Sequence, residues 1–331
     1  MEQKGELSTD GGKIKNQKLE TEACDKNYLP ETKLKNEIIK IYNNNINNED
    51  NNSFIIDNEQ TLIDTIKIKK VFGKSKTLIL EIMTNDSSSE KYSKIEINPF
   101  GYINSKRKNK DGITYFGNSL EKGNRMGDNI DVEIKNNENY YDYEDDGLYG
   151  RHFMIKFNPD DLNYYIKDLG KGTGTFIKIQ EWTEIKNNSL LNIGENYIVL
   201  SYDDEDDVDE NDIINNSKDN GLENYINIKV FSINSQIKSQ KFFPSDCPIT
   251  IGRSNENNIF IDDDMLSRIH CTIDFENKKW YIQDGFAKKG LREEEIKKST
   301  NGCWIYAYEE IPIENKMVFK ANHNLFICNL T

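Results

Sequence analysis

Two arginines and a serine are the residues whose types and spacing point to a specific chemistry. Arg253 follows the alternating apolar run 249–251, which is the pattern of a half-buried strand. Ser267 and Arg268 open the next strand pattern. Guanidinium groups supply charge-assisted, fork-shaped donors to a phosphate dianion, and a hydroxyl group supplies another donor. We therefore expect a phosphate-binding site at the mouths of two loops that leave the same end of a sheet.

Three short motifs around these residues resemble those of the forkhead-associated (FHA) domain and occur in that family's order. They are Gly252-Arg253, Ser267-Arg268-Ile269-His270 and Ser299-Thr300-Asn301-Gly302. Each motif alone is a weak signal, since a serine is a common turn or cap residue and Asn-Gly is an ordinary hairpin turn, but together they are strong. The resemblance covers about 225–331 closely and about 63–204 loosely. It implies an all-β fold of two β-sandwich domains of the FHA/SMAD-like type.

The resemblance also implies that the second sandwich binds a phosphothreonine peptide. The residues that match the family's ligand contacts are Arg253, Ser267 and Arg268 for the phosphate, Asn301 for the peptide main chain, and Thr300 along the same edge. The residues that match its supporting positions are Gly252, His270 and Gly302. In this comparison His270 braces the loop from inside and does not contact the ligand.

An insertion is the main departure from the family's pattern. Residues 285–298 separate Asp284 from the Ser-Thr-Asn-Gly motif, whereas in the family the two are nearly adjacent. The segment 291–298 has charged pairs at i, i+4 spacing and can form a helical turn, but a solvated charged loop also fits it. Its lysines either add positive potential beside the site or are simply solvated: Lys288, Lys289, Lys297 and Lys298. Cys303 stands where the family usually has threonine, a small change that we expect to be tolerated.

The first unit resembles the same fold but departs from the motifs that would hold phosphate. Asn118 stands in the position of the arginine, and Tyr149-Gly150 stand in place of the serine and its neighbour. Thr173 replaces the asparagine, while His152 is kept. We expect this unit to have a structural or protein-interaction role, with recruitment of Arg151 to a phosphate as the open alternative.

Composition limits the function classes that fit the chain. The 331 residues carry a formal net charge of −14, which argues against general binding to nucleic acids or anionic membranes. The five cysteines show no paired spacing, so we expect reduced thiols in an intracellular protein, cytoplasmic or nuclear. The polar start and the lack of a long apolar run predict no secretory signal and no membrane insertion. We expect no cofactor and no metal site.

Composition also divides the chain into four parts. The predicted parts are a disordered Asn-rich tail at 1–60, a first sandwich at 63–204, an acidic linker at 205–222 and a second sandwich at 223–331. In the first unit we predict strands near 77–83, 94–97, 131–134, 152–157, 164–167, 175–179 and 196–202. The two units look like divergent copies of one repeat. The run Lys106–Lys110 fits a nuclear-import patch or, more simply, a solvated loop.

These observations predict a non-catalytic adaptor that recruits phosphothreonine-containing partners through its second sandwich. The alternative is a phosphate-independent scaffold in which both sandwiches bind partners through surface patches. An enzyme is a third hypothesis, but the sequence contains no credible nucleophile–base pair or acid–base dyad. Binding that depends on phosphorylation would separate the first two hypotheses. The partner, the kinase and the oligomeric state are not encoded in any pattern that we find.

Overall fold

The structure is a computed structural model that describes residues 58–83, 92–107, 110–118, 130–134, 150–202, 224–232, 235–287, 296–322 and 324–331. The predicted linker, all but three residues of the predicted tail and most of the predicted helical turn at 291–298 lie outside these ranges. The last residues of that turn, 296–298, are extended rather than helical. Helix α1, Asn58–Val71, was not predicted, and its Ile68 is completely buried.

Twenty-one strands make up most of the described chain. They are β1 Leu78–Met83, β2 Tyr92–Asn98, β3 Gly101–Tyr102, β4 Ile113–Asn118, β5 Val132–Glu133, β6 Gly150–Asn158, β7 Asn163–Asp168, β8 Thr175–Lys178, β9 Thr183–Glu184, β10 Ser189–Ile193, β11 Asn196–Ser201, β12 Ile226–Ser232, β13 Ser235–Phe242, β14 Ile249–Gly252, β15 Ile259–Phe260, β16 Cys271–Glu276, β17 Lys279–Asp284, β18 Cys303–Tyr306, β19 Ile311–Pro312, β20 Val318–Ala321 and β21 Asn324–Leu330. The all-β fold class is confirmed.

Alternation of apolar and polar residues explains most of these strands. In β7 the residues alternate strictly between half-buried and buried, as expected for a strand with one face on a core. Each of the seven strands predicted for the first unit is present, with its ends shifted by no more than two residues. Alternation of this kind fixes which face of a strand is buried, but it does not specify the neighbouring strand.

The strands form one long sheet and two short ones. The long sheet has 11 strands in the order β13-β12-β11-β10-β18-β8-β20-β21-β1-β2-β3. The five-stranded sheets have the orders β15-β14-β16-β17-β9 and β19-β7-β6-β4-β5. Each short sheet packs on one half of the long sheet, so two sandwiches share a continuous sheet. We call the half that contains β1 sandwich one and the half that contains β14 sandwich two.

The two sandwiches exchange their last three strands. Sandwich one is started by β1–β8 and completed by β19–β21, because β19 pairs with β7 and β21 pairs with β1. Sandwich two is started by β12–β18 and completed by β9–β11, because β9 pairs with β17 and β11 pairs with β12. The division of the chain into units at 63–204 and 223–331 stays a prediction about the sequence. In the fold, both units contribute strands to both sandwiches.

The exchange is centred on the pair β8 and β18, which run antiparallel in the middle of the long sheet. Ile177 lies opposite Ile305, and the hydrogen bonds on either side of this pair are equivalent. The Ile179 N–H donates to the carbonyl of Cys303 at 2.9 Å, and the Ala307 N–H donates to the carbonyl of Thr175 at 2.9 Å. The two crossings are therefore related by an approximate twofold axis through the isoleucine pair.

The cores of the two sandwiches differ in residue type at equivalent positions. In sandwich one, Phe319 and Phe326 face each other across β20 and β21 and stack with ring centroids 4.6 Å apart. Phe153 of β6 meets Phe319 edge-on at 5.4 Å, so the exchanged strands are sealed into an aromatic core. In sandwich two the corresponding pair is Leu191 and Ile198, and both side chains are completely buried.

Arg107 differs from the other described residues of the basic run 106–110. Its side chain is only 9% exposed, whereas Lys106 and Lys110 are exposed. The guanidinium pairs with Asp111 at 2.8 Å and with Asp131 at 3.3 Å. These carboxylates raise the pKa of Arg107 against the lowering effect of burial. Removing one partner of such a buried ion pair is strongly destabilising, because a buried charge is left uncompensated.

Candidate functional site

Three loops of sandwich two bring the predicted site residues together at one end of the molecule. Arg253 follows β14, Ser267 precedes β16, and Thr300 precedes β18. The Arg253 N–H donates to the carbonyl of Ser267 at 3.1 Å, and the Ser267 Oγ accepts from the Thr300 N–H at 3.0 Å. Direct hydrogen bonds therefore join the three motifs, between residues that lie 14 and 33 positions apart in sequence.

Gly252 permits the closest of these approaches. A Cβ at this position would lie 2.4 Å from the carbonyl oxygen of Arg268, which is shorter than any real contact. Any side chain here would push the β14 loop away from the loop that contains Ser267. The glycine of the Gly-Arg motif thus sets the spacing between the arginine and the serine.

Asn301 lies across the mouth of the site. Its Nδ2 donates to the carbonyl of Met265 at 2.7 Å, and its own carbonyl accepts from the Trp304 Nε1 at 3.1 Å. The side chain is exposed, and these bonds fix its orientation. With Nδ2 engaged, the Oδ1 is the atom that can accept an N–H from the main chain of an extended peptide.

His270 is completely buried beneath the loops and has two partners. Its Nδ1 accepts from the Ser267 N–H at 3.1 Å, and its Nε2 lies 3.0 Å from the carbonyl of Gly302. Burial lowers the pKa of His270, and the hydrogen bond to Gly302 only partly opposes this effect. A neutral ring with the proton on Nε2 satisfies both contacts. The ring holds the serine loop and the Asn-Gly loop together from inside, as the resemblance implies.

The Ser299–Gly302 loop is a tight turn anchored on a buried carboxylate. The Ser299 Oγ donates to Asp284 at 2.5 Å and accepts from the Gly302 N–H at 2.9 Å. Gly302 has φ +79°, a conformation that favours glycine. Asp284 therefore presents Thr300 and Asn301 to solvent through the Ser299 side chain. The Asn-Gly turn and the ligand-binding function are compatible, since the turn is what exposes the two side chains.

Two arginines at the site point their charges to solvent. Four arginines lie in the described ranges, and they divide into two kinds. Arg107 is buried in its ion pairs, and Arg151 lies over the Tyr115 ring at 3.8 Å. Arg253 and Arg268 are exposed, and within the described part of the chain neither forms an ion pair. A cleft of about 600 Å³ lies beside them, with Ser267 and Thr300 in its wall.

The exchanged hairpin supports the site from the other half of the chain, a contact that the sequence did not predict. Asp263, in the loop before Ser267, accepts from the Asn196 Nδ2 at 2.6 Å and from the Glu195 N–H at 3.2 Å. A Cβ on Gly194 would lie 2.6 Å from the same carboxylate. The only sequence signal was the loose repeat that includes 188–194, and it does not reveal which sandwich the hairpin completes.

Sandwich one repeats the backbone of this site with other side chains. Gly117 pairs with Glu133 of β5 as Gly252 pairs with Phe260 of β15, which places Asn118 in the register of Arg253. Gly150, which has φ +112°, lies opposite Asn118. Arg151 does not turn towards this position, because its guanidinium lies over Tyr115.

The described residues contain neither a candidate metal cluster nor a membrane-spanning helix. Within these ranges, no group of three or more His, Cys, Asp or Glu side chains is placed to hold a metal ion. Among the described helices, none is both long and apolar enough to cross a membrane.

The sequence model of the FHA domain family matches two stretches of the chain, residues 125–194 and 249–320. Each match is contiguous in sequence and runs through a crossing point, so each includes strands of both sandwiches. FHA domains are generally phosphothreonine-binding modules of protein–protein interaction, and the family is one of binding modules rather than catalysts. A search of curated proteins found no match to the chain.

Proposed function

We propose that the protein is an adaptor that binds phosphothreonine-containing protein segments at the end of sandwich two. Arg253 and Ser267 contact the phosphate, Arg268 adds a charge-assisted contact, and Asn301 holds the peptide main chain with Thr300 beside it. The proposal rests on the family's general activity and on the meeting of these residues around one cleft.

The observation that carries the proposal is the Ser267–Thr300 bond between the serine loop and the Ser299–Gly302 loop. It holds the Ser267 hydroxyl in the wall of the cleft that Arg253 and Arg268 also line. A phosphate dianion needs several converging donors of this kind, and a fork-shaped guanidinium matches its geometry. The chain carries a net charge of −14, and within the part that the structure describes neither arginine forms an ion pair, which favours a specific anion over general attraction.

The test is a titration of the full chain with a degenerate phosphothreonine peptide library, followed by calorimetry on the best sequence. The controls are the same peptide unphosphorylated and with phosphoserine. Arg253→Ala should weaken binding by about ten- to a hundredfold, because each charge-assisted hydrogen bond contributes roughly 1.5–3 kcal/mol. Asn118→Ala is the matched control at the same register in sandwich one, and it should leave the affinity unchanged.

The outcome also decides between the adaptor and the phosphate-independent scaffold. Equal affinity for phosphorylated and unphosphorylated peptides would contradict the adaptor function, and surface-patch binding would replace it. Equal weakening by Arg253→Ala and Asn118→Ala would mean that the phosphate lies elsewhere. A full chain is needed for this experiment because the fragment 221–331 lacks β9–β11, which complete sandwich two.

We also propose a structural or protein-interaction role for sandwich one and an intracellular location, cytoplasmic or nuclear. Asn118 and Gly150 stand in the positions of Arg253 and Arg268 and supply neither of the two guanidinium charges. Cys271, Cys303 and Cys328 are buried free thiols, which supports a reducing compartment.

A further inference from the structure

The cleft beside Arg253 extends well beyond the position of one phosphate. Its wall continues from Ser267 past Arg268 and Ile269 to Phe286 and Lys297, which belong to the insertion after β17. Strand β16 lies between β14 and β17, so the two outer strand ends are roughly 10 Å apart. A ligand bound at Arg253 therefore has room to continue towards the insertion.

Hydrogen bonds to the sheet hold the two ends of the insertion, at Phe286 and Lys297, in place. Phe286 and Lys297 form an antiparallel bridge, with N–H to carbonyl distances of 2.9 Å and 3.2 Å. Gly285 closes this neck, because a Cβ there would lie 2.0 Å from the Lys297 carbonyl oxygen. The buried Thr272 hydroxyl donates to the Gly285 carbonyl at 2.8 Å and accepts from the Ala287 N–H at 3.3 Å. The main chain of Lys297 is thus fixed at the edge of the cleft.

The charge of the cleft is strongly positive. Among the described residues, Arg253, Arg268, Lys297 and Lys298 line it, together with one carboxylate, that of Glu256. Lys298 has a structural partner, since its amine donates to the carbonyl of Gln180 on the segment that crosses from sandwich one. Lys297 is exposed, and none of the ion pairs in the described chain includes it. The excess of positive charge is greater than one phosphate dianion requires.

We propose that Lys297 forms a second anion-binding subsite beside the phosphate position of Arg253, Ser267 and Arg268, so that the preferred ligand is a phosphothreonine segment with a second anionic group. This proposal rests on the proposed function, because the subsite acts on a ligand anchored at Arg253. The second group is either another phosphate or a carboxylate side chain. Phe286 lies in the same wall and is 41% exposed, so it offers an apolar contact to the chain between the two anions.

The test compares peptides that share one phosphothreonine and differ at a second position, scanned through the flanking residues. The second position carries alanine, glutamate or a phosphorylated residue, which separates the two sources of charge. The full chain should bind the best doubly anionic peptide about three- to tenfold more tightly than its alanine version. This gain should shrink as salt is raised, since both groups are near the surface.

Two charge reversals make the test specific. Lys297→Glu should abolish the gain from the second anion. Lys278→Glu changes the net charge equally, but it lies in the turn at the far end of the β16–β17 hairpin and should preserve the gain. The subsite is overturned if wild type shows no gain at any position, or if the gain survives in Lys297→Glu. Failure of every phosphothreonine peptide to bind would instead overturn the proposed function itself.

Discussion

The two sandwiches have the same backbone at the end of the glycine strand but carry different side chains there. Gly117 and Gly252 have equivalent strand partners, so Asn118 and Arg253 occupy one register. In sandwich two Arg253 faces solvent, whereas Arg151, the arginine next to the corresponding position in sandwich one, covers the Tyr115 ring. The comparison shows that the backbone arrangement of the site does not depend on the side chains that would bind phosphate, because sandwich one keeps the same strand register with those side chains replaced.

The cores of the two sandwiches also have equivalent backbone positions that carry different side chains. The pair Phe319 and Phe326 in sandwich one corresponds to Leu191 and Ile198 in sandwich two. If β20 and β21 folded back into sandwich two, two phenyl rings would have to fit a space shaped by aliphatic side chains. Overpacking of this kind typically destabilises a core by about 1–3 kcal/mol. Residue size therefore favours the exchanged arrangement over the one in which each unit closes on itself.

The largest expected effect comes from separating the halves. The fragment 224–331 lacks β9–β11, so it should fail to form a stable monomer, as measured by circular dichroism and size-exclusion chromatography. Adding the fragment 58–202 supplies these strands and should restore cooperative thermal unfolding. A fragment 224–331 that melts cooperatively as a monomer at the temperature of the full chain would show that the exchange is not required for sandwich two.

A smaller effect should follow from cutting the contact between the exchanged hairpin and the site. Asn196→Ala removes the Nδ2 donor to Asp263, which keeps the N–H of Glu195, and a hydrogen bond to a charged group typically contributes about 1.5–3 kcal/mol. We expect phosphopeptide affinity to fall by about three- to tenfold, measured by calorimetry. Asn324→Ala, at the equivalent position in sandwich one, should leave affinity intact, and an equal loss in both variants would contradict the positioning role.

Acidification should change the free energy of unfolding in opposite directions through His270 of sandwich two and Asp168 of sandwich one. Burial lowers the pKa of His270 in the folded chain. Below about pH 6.5 the unfolded chain therefore binds a proton at this residue more readily than the folded chain does, and the free energy of unfolding falls as the pH is lowered. Burial raises the pKa of Asp168 to about 6 from 3.8, so its contribution rises as pH falls from 7 towards 4.

Urea unfolding at pH 7 and pH 5 measures both contributions in variants that keep the side-chain shape. Relative to wild type, His270→Gln should lose less stability on acidification and Asp168→Asn should lose more, by about 1–2 kcal/mol in each case. Identical pH profiles in all three proteins would mean that neither group titrates differently on folding.

The smallest expected effect is a null result in sandwich one. Asn118→Arg restores the guanidinium in the register of Arg253, but Gly150 stands in the position of Arg268 and supplies no second guanidinium, and Tyr149 replaces Ser267. In an Arg253→Ala background, this substitution should not restore phosphopeptide binding in the same calorimetric titration. Restored binding would show that charge alone distinguishes the two ends.

The sequence predicted the strands and the site loops, because both depend on local patterns. The alternation of apolar and polar residues predicted strands such as β7, and three short motifs pointed to Arg253, Ser267 and Asn301 as site residues. Alternation carries no information on the partner strand, so the exchange of β9–β11 with β19–β21 was not predictable from it. The burial of Arg107 was missed for a related reason, since Asp131 approaches it only in the folded chain.

The pairing of β1 with β21 also constrains how the protein is made. On the ribosome, β1–β8 emerge first, but their aromatic core is closed only after β19–β21 have been synthesised. Roughly 150 residues separate these events, which at 5–20 residues per second amounts to about 10–30 s. During that interval the apolar face of the first strands remains uncovered, so we expect the nascent chain to depend on chaperones until translation is nearly finished.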